Sequence, residues 1–257
     1  MTSPRHQSAY GSRGKIGLIV PPTNTVNEPE WGLLIPDGLT FHTVRMPIHP
    51  HAANDAARYA LVHDIADKAA ELTPAGVDVV AYACTAGSMI HPLEFLPDAV
   101  REVAGVPIVT TAAAIVRALR YLGARRIAVA TPYHDALNAQ EAEFLSAAGL
   151  EVCAIAGLGI GANGPSDYPQ IARTPVDVVY RHARSVFVSG IDALVISCTD
   201  FPTLHLIERL EDELGVPVIT SNQSTLWDAL RTIGVAAPVA TGGILLSGRP
   251  HLAVRTT

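Results

Sequence analysis

An internal repeat constrains this chain more than any other feature. One copy reads Gly76-Val-Asp78-Val-Val-Ala-Tyr82-Ala-Cys84-Thr85, passes through a helical stretch, continues as Gly105-Val-Pro-Ile-Val-Thr110, and closes with a second helix at Leu122-Gly123. The other reads Gly190-Ile-Asp192-Ala-Leu-Val-Ile-Ser-Cys198-Thr199, then a helix, Gly215-Val-Pro-Val-Ile-Thr220, and a helix ending at Ile233-Gly234. In both copies an Asp stands six residues before the Cys. Repetition on this scale implies two similar halves. Each half sets a Cys-Thr pair just past the carboxyl end of an apolar run, where open parallel sheets present their ligand crevices.

The apolar runs Ile16–Val20, Val77–Ala81, Ile108–Thr110, Ile127–Ala130, Val152–Ala156, Ala193–Ile196 and Val218–Thr220 show no period-two alternation. They read as parallel strands covered on both faces. Helical periodicity fills Asp55–Leu72, Thr111–Leu122, Ala136–Ala148, Pro175–Val188, Thr203–Leu214 and Ser224–Ile233. The class is therefore α/β, built from βαβ crossovers. The Val218 run resembles the Val106 run, so the second half reads as an insertion whose closing segment returns to the first. The expected division is 14–112 with 221–250 as lobe 1, 113–220 as lobe 2, and 1–13 as a flexible N-terminus. No Pro- or Ser-rich linker separates the halves, which suits two lobes around a shared cleft. The glycine-rich stretch Gly157–Pro169 is a candidate cleft wall.

Composition narrows the function classes. With 49% hydrophobic and 16% charged residues the 257-residue chain is globular. A net charge of −6 with no basic run argues against nucleic-acid or membrane-surface partners and favours a small molecule. Three cysteines, Cys84, Cys153 and Cys198, are too few and too widely spaced for a disulfide framework or a zinc site. They read as free thiols in a reducing compartment, and the cytoplasm is the expected location. No apolar segment is long enough to span a membrane, and no signal peptide precedes Ile16.

Cys84 and Cys198 are the leading catalytic candidates. A buried Cys is ordinarily core filler, but two at equivalent repeat positions, each ahead of a helix, can stand on opposite sides of one carbon. That arrangement passes a proton across the carbon, or lets one thiolate attack while the other thiol supplies a proton. Helix N-termini are expected to depress the Cys84 pKa. Cys153, without a repeat partner, reads as structural. The candidate substrate contacts are Asn24 and Thr25 in the turn after the first strand, Thr85 and Thr199 beside the cysteines, Tyr133 at a strand end, and Asn163 in a glycine-rich turn. Asn24 and Thr25 could equally cap a helix, and Asn163 could be a turn residue. His49-Pro50-His51 has no third ligand at suggestive spacing, so no metal site is expected.

These residues resemble the aspartate/glutamate racemase superfamily, most closely its maleate cis-trans isomerase branch, with arylmalonate decarboxylases and hydantoin racemases as relatives. The likeness runs from Lys15 to Gly248 and rests on Gly17-Leu-Ile-Val-Pro with Asn24-Thr25, Phe41-His-Thr-Val-Arg-Met46, Val77-Asp-Val through Tyr82-Ala-Cys84, Ala130-Thr-Pro-Tyr133, Cys198 with Pro202, and Leu245-Leu-Ser-Gly248. It implies two pseudosymmetric Rossmann-like lobes, a cofactor-free and metal-free site between them, and a homodimer or higher homo-oligomer. It also implies Cys84 as nucleophile, Cys198 as acid/base, and Asn24, Tyr133 and Asn163 as holders of carboxylates. Two departures bear on the reaction. Isomerases of this branch usually place bulky apolar residues after the first cysteine, where this chain has Thr85-Ala86-Gly87-Ser88. They carry Val-Gln after the second, where this chain has Thr199-Asp200. Glutamate racemases open with an acidic Asp-Ser-Gly turn, absent here, and decarboxylases generally keep only one of the two cysteines. The expectation is isomerisation of maleate or a related small dicarboxylate. The alternatives are an amino-acid or hydantoin racemase using the same thiols, a decarboxylase-like enzyme, or a ligand-binding protein of a catabolic operon.

Overall fold

The computed structural model describes residues 5–49, 55–235, 239 and 241–248. Its strands are β1 (Gly14–Val20), β2 (Leu39–Arg45), β3 (Val79–Tyr82), β4 (Ile108–Thr110), β5 (Arg126–Tyr133), β6 (Glu151–Ile160), β7 (Ala193–Ile196) and β8 (Val218–Thr220). The helices used below are α1 (Asn27–Leu34), α2 (Asp55–Leu72), α3 (Thr85–Ser88), α4 (Phe95–Ala104), α5 (Thr111–Tyr121), α6 (Asp135–Ala147), α7 (Pro169–Ala172), α8 (Val176–Val186), α9 (Ile207–Leu214) and α10 (Ser221–Thr232). The strands form two four-stranded parallel sheets of identical connectivity, β2-β1-β3-β4 and β6-β5-β7-β8. The protein is thus an α/β fold with two like sheets.

The strand missing from the sequence analysis is β2, and its position explains why. It is a sheet edge, mostly half-exposed, and its Leu-Thr-Phe-His-Thr-Val-Arg sequence mixes polar and apolar residues. The central strands β3 and β7 are buried throughout and read as continuous apolar runs. Helix α1 is also absent from that analysis, and its eight residues include Pro29 and Gly32. The third strand starts at Val79 rather than Val77 because Asp78 is otherwise engaged. Its N–H donates to Lys15 O and its Oδ2 accepts from Lys15 N, both at 2.8 Å. Asp192 repeats the device: its N–H reaches Arg126 O at 2.7 Å, and its Oδ2 takes the N–H groups of Arg125 and Arg126 at 2.8 Å. The Asp that recurs in the repeat therefore fastens each cysteine strand to the central strand beside it.

Near the amino terminus, where a flexible lead is expected, Arg5 donates to Ile233 O at 2.7 Å and His6 Nε2 lies 2.8 Å from Asp78 Oδ2. The stretch expected as a glycine-rich loop begins inside β6, which runs through Ile160. The His49-Pro50-His51 pair falls partly outside the described residues. Among those described, no group of three or more His, Cys, Asp or Glu could hold a metal. No described helix is long and apolar enough to cross a membrane.

The two sheets share one core. Helices α5 and α10 pack on each other and on strands of both sheets, and a single apolar cluster runs from Ile16, Leu18 and Val109 through Ile115, Leu119 and Leu226 to Ile127, Val195 and Ile219. Above it lies a buried polar seam. Glu30, 7% exposed, accepts from the N–H groups of Thr203 (2.6 Å) and Leu204 (2.8 Å) and from Asn222 Nδ2 (2.7 Å). Asn222 in turn donates to Thr199 O, accepts from Asn27 Nδ2, and offers its carbonyl to Trp31 Nε1. Glu30→Ala would leave the buried Thr203 N–H, the part-buried Leu204 N–H and one hydrogen of the Asn222 amide without their acceptor, so it should cost about 3 kcal/mol. Chemical denaturation should show that loss as a lower midpoint.

Candidate active site

Cys84 follows β3 directly. Its backbone is extended (φ −142°), it stands at the N-cap of α3, and its Sγ accepts from Gly87 N at 3.4 Å. Cys198 follows β7, but its φ of +99° makes it the one described non-glycine residue with a left-handed φ. Such a conformation costs on the order of 1–3 kcal/mol and persists where surrounding structure enforces it. Ser221 Oγ accepts from the Cys198 N–H at 2.9 Å and pairs with Thr85 Oγ1 at 2.9 Å, linking the two cysteine turns. Both thiols line one cavity of about 570 Å³ between the sheets. Met46, Ile48, Met89, Leu137, Phe144 and Ile160 supply much of its apolar wall. Tyr82, Thr85, Tyr133, Tyr168, Thr199 and Asp200 supply polar groups together with His49 and His91, and among the described residues neither Lys nor Arg lines it.

Each thiol has a tyrosine. The Tyr82 hydroxyl stands beside the Cys84 thiol and the Tyr133 hydroxyl beside the Cys198 thiol, each placed to favour the ionised sulfur. Burial raises both phenols well above their ordinary value, so they stay protonated and act as donors. The thiols do not behave as their places before helices suggest. Burial raises Cys84 above the ordinary thiol value, outweighing the Gly87 N–H and the Tyr82 hydroxyl. Cys198 is pushed up strongly by burial and then by the Asp200 charge, against the Tyr133 hydroxyl. A four-residue helix and neutral donors cannot repay the desolvation of a thiolate in a cavity that no described Lys or Arg lines. Asp200 is itself raised to about 6 by burial, against the N–H groups of Thr25 and Val26 and the charge of Arg45. The site therefore rests with two protonated thiols. Addition or proton abstraction by either needs the ionised minority form.

The arylmalonate decarboxylase family profile matches residues 16–246 of this chain. The chain belongs to that family. It is 29% identical to a maleate isomerase of Geobacillus stearothermophilus, over 91% of this chain and 98% of the relative. It is 32% identical to an arylmalonate decarboxylase of Bordetella bronchiseptica, over 88% and 93% respectively. Among solved structures, a cysteine-to-serine mutant of the Nocardia farcinica maleate cis-trans isomerase superposes with a TM-score of 0.81 at 27% identity. That match covers 91% of this chain and 98% of the other, and the mutant carries a covalently bound succinylcysteine intermediate. These likenesses make the protein an enzyme of the isomerase kind within the arylmalonate decarboxylase family.

Of the residues singled out from sequence, the fold brings Cys84, Cys198, Thr85, Thr199 and Tyr133 to the cavity wall. The Thr199 hydroxyl donates to Ala83 O at 3.0 Å and accepts from Asn24 Nδ2 at 3.1 Å, so it helps hold the two cysteine turns together. Asn24 is buried beside the cavity wall rather than in it. Its Oδ1 takes the N–H groups of Val26 and Asn27, the capping role weighed for that turn. Thr25 is exposed and gives its N–H to Asp200. Asn163 is exposed, with its N–H and amide both on Asp167. Cys153 is half-exposed on the edge strand β6, outside the cavity.

Four site residues lay outside the sequence-level assignments. Tyr82 stands two residues before Cys84, and the period-two geometry of a strand could have paired the two side chains. Asp200 appears there only as a departure. Tyr168 comes from the turn after β6. Glu141, buried and raised to about 7 by that burial, stands near Ser197, the residue before Cys198. Gly87 also acquires a reason, because a Cβ there would collide with Tyr82 Oη and press on Cys84 Sγ. Gly87→Ala should cut turnover by about a hundredfold through displacement of the thiol, with the melting temperature lowered by the overpacking against Tyr82. In a Cys153→Ala background, iodoacetamide labelling of Cys84 should keep accelerating with pH beyond the ordinary thiol value of about 8.5. Peptide mapping across pH 6 to 10 checks this, and labelling that levels off by about pH 8 would contradict the raised thiol.

Proposed function

We propose that this protein is a cofactor-independent cis-trans isomerase acting on maleate or a related small unsaturated acid, with Cys84 as nucleophile and Cys198 as proton donor and acceptor. The observation that carries the reading is the placement of both thiols on one cavity, each under its own tyrosine hydroxyl. The Cys84 thiolate forms a C–S bond to one alkene carbon, and the π electrons move to the neighbouring carbon, which takes the Cys198 proton. The resulting single bond rotates. The Cys198 thiolate then withdraws a proton, the double bond re-forms as trans, and Cys84 leaves as thiolate with nothing consumed. The succinylcysteine of the Nocardia farcinica mutant is the kind of adduct this sequence passes through. Tyr133 and Tyr82 would steady the sulfur atoms as they gain charge.

Proton NMR of the protein incubated with maleate should show fumarate. Cys84→Ala and Cys198→Ala should each abolish its formation with little change in melting temperature, and Cys198→Ser should accumulate a protein adduct heavier by the mass of the acid. Because both resting thiols are raised, kcat/KM should climb with pH from 7 to 9 instead of reaching a plateau near neutrality. Full activity in either alanine variant removes the two-thiol mechanism. Deuterium exchange at the α-carbon of an amino acid or hydantoin, without fumarate from maleate, assigns racemase chemistry to the same pair.

A further inference from the structure

We propose that Asp200 selects a substrate carrying a hydrogen-bond donor, such as an amide, hydroxyl or ammonium group, where maleate carries its second carboxylate. The inference rests on the reading of this cavity as the substrate site and not on the alkene chemistry. Asp200 lines the cavity two residues past Cys198 and is 6% exposed. Its Oδ1 accepts from Thr25 N at 2.9 Å. Its Oδ2 is buried and has no hydrogen-bond partner among the described residues, the nearby Val26 N–H being given to Asn24 Oδ1. A buried carboxylate oxygen left in that state is costly, and a donor brought by the ligand removes the cost.

The surroundings exclude the alternative use of this acid as a partner for a fixed cation. Among the described residues no Lys or Arg lines the cavity, and of its histidines His49 is held by Asp64 and His91 stacks on Phe95. The nearby Arg45 is committed to Glu28 Oε2 at 2.6 Å and to the carbonyls of Pro21 and Asn24. The Thr85 and Thr199 hydroxyls are occupied by Ser221, Ala83 and Asn24, and the Tyr82 and Tyr133 hydroxyls stand beside the thiols; Thr23, Gln140 and Tyr168 are further polar side chains of the wall. A second ligand carboxylate set against Asp200 would therefore meet an acceptor of its own sign, with Arg45 already held by Glu28, whereas an N–H or O–H would meet an acceptor that lacks a donor. With its carboxyl raised only to about 6, Asp200 carries its charge at neutral pH.

Maleate and its monoamide, maleamate, differ at the group in question and are the probes. Isothermal titration near neutral pH into Cys84→Ala protein, which should bind without turnover, should give maleamate an affinity at least about tenfold tighter than maleate. Asp200→Asn keeps an oxygen for the Thr25 N–H, so the fold should hold. In the Cys84→Ala background it should erase or reverse the preference, chiefly by strengthening maleate, and Asp200→Ser should erase it too. Equal affinities, a preference that survives both substitutions, or binding of neither acid overturns the proposal. A maleamate preference without any NMR-detected isomerisation removes the isomerase reading and leaves this one standing. Fumarate formation from maleate without the preference does the reverse.

Discussion

The active site depends on a buried polar seam that ties the first turn of one sheet to the second cysteine turn of the other. Glu30, Asn27 and Asn24 come from the segment after β1, and they meet Thr199, Thr203, Leu204 and Asn222 beyond β7 and β8. Apart from Asn27 Oδ1 these groups find their partners inside protein, so shifting one sheet against the other would strand several buried polar groups at once. The shared apolar core under α5 and α10 supplies adhesion without direction, whereas the seam fixes orientation. The two thiols owe their common cavity to that fixed orientation.

The same burial sets the chemistry. A site sealed enough to hold Tyr82, Tyr133, Cys84 and Cys198 away from water penalises every anion in it, and the raised thiols, phenols and Asp200 share that cause. Neither cysteine is ionised in advance. What the protein provides is neutral donors beside each sulfur, which become more valuable as the sulfur gains charge during reaction. The strained Cys198 backbone fits this pattern, since its conformation is enforced by the Ser221 bond at the point where the proton is handled.

The duplicated architecture does not make the two halves chemically equal. Asp78 and Asp192 do the same work at equivalent places. Counted from Ile19 and Ala130, which pair with the strand residues two before each cysteine, Asn27 and Glu30 are equivalent to Asn138 and Glu141, yet Glu30 is bonded through both oxygens in the seam while Glu141 keeps an unpartnered Oε2. The tyrosines diverge further: Tyr82 lies on its own cysteine's strand, and Tyr133 ends the neighbouring strand β5. Cys84 takes an extended backbone and Cys198 a left-handed one. Such differences allow one thiol to attack while the other moves a proton.

Local pattern alone determined the α/β class, the central strands and the two cysteine positions. Buried parallel strands must be continuously apolar, and the repeat shows itself as matched residues at fixed spacing, so β4, β7 and β8 could be read residue for residue. The edge strand β2 was illegible because a half-exposed edge imposes no such demand. Tertiary structure decided which candidates face the ligand. Asn24, Thr25 and Asn163 carry side chains suited to a carboxylate, but their hydrogen bonds go to Val26 and Asn27, to Asp200 and to Asp167. It also decided that the thiols are raised rather than depressed, because helix position is a local property while desolvation depends on everything packed around the sulfur. Asp200 shows the same division: its identity is written in the chain, but its buried, unpartnered oxygen at the cavity exists only once the lobes are joined.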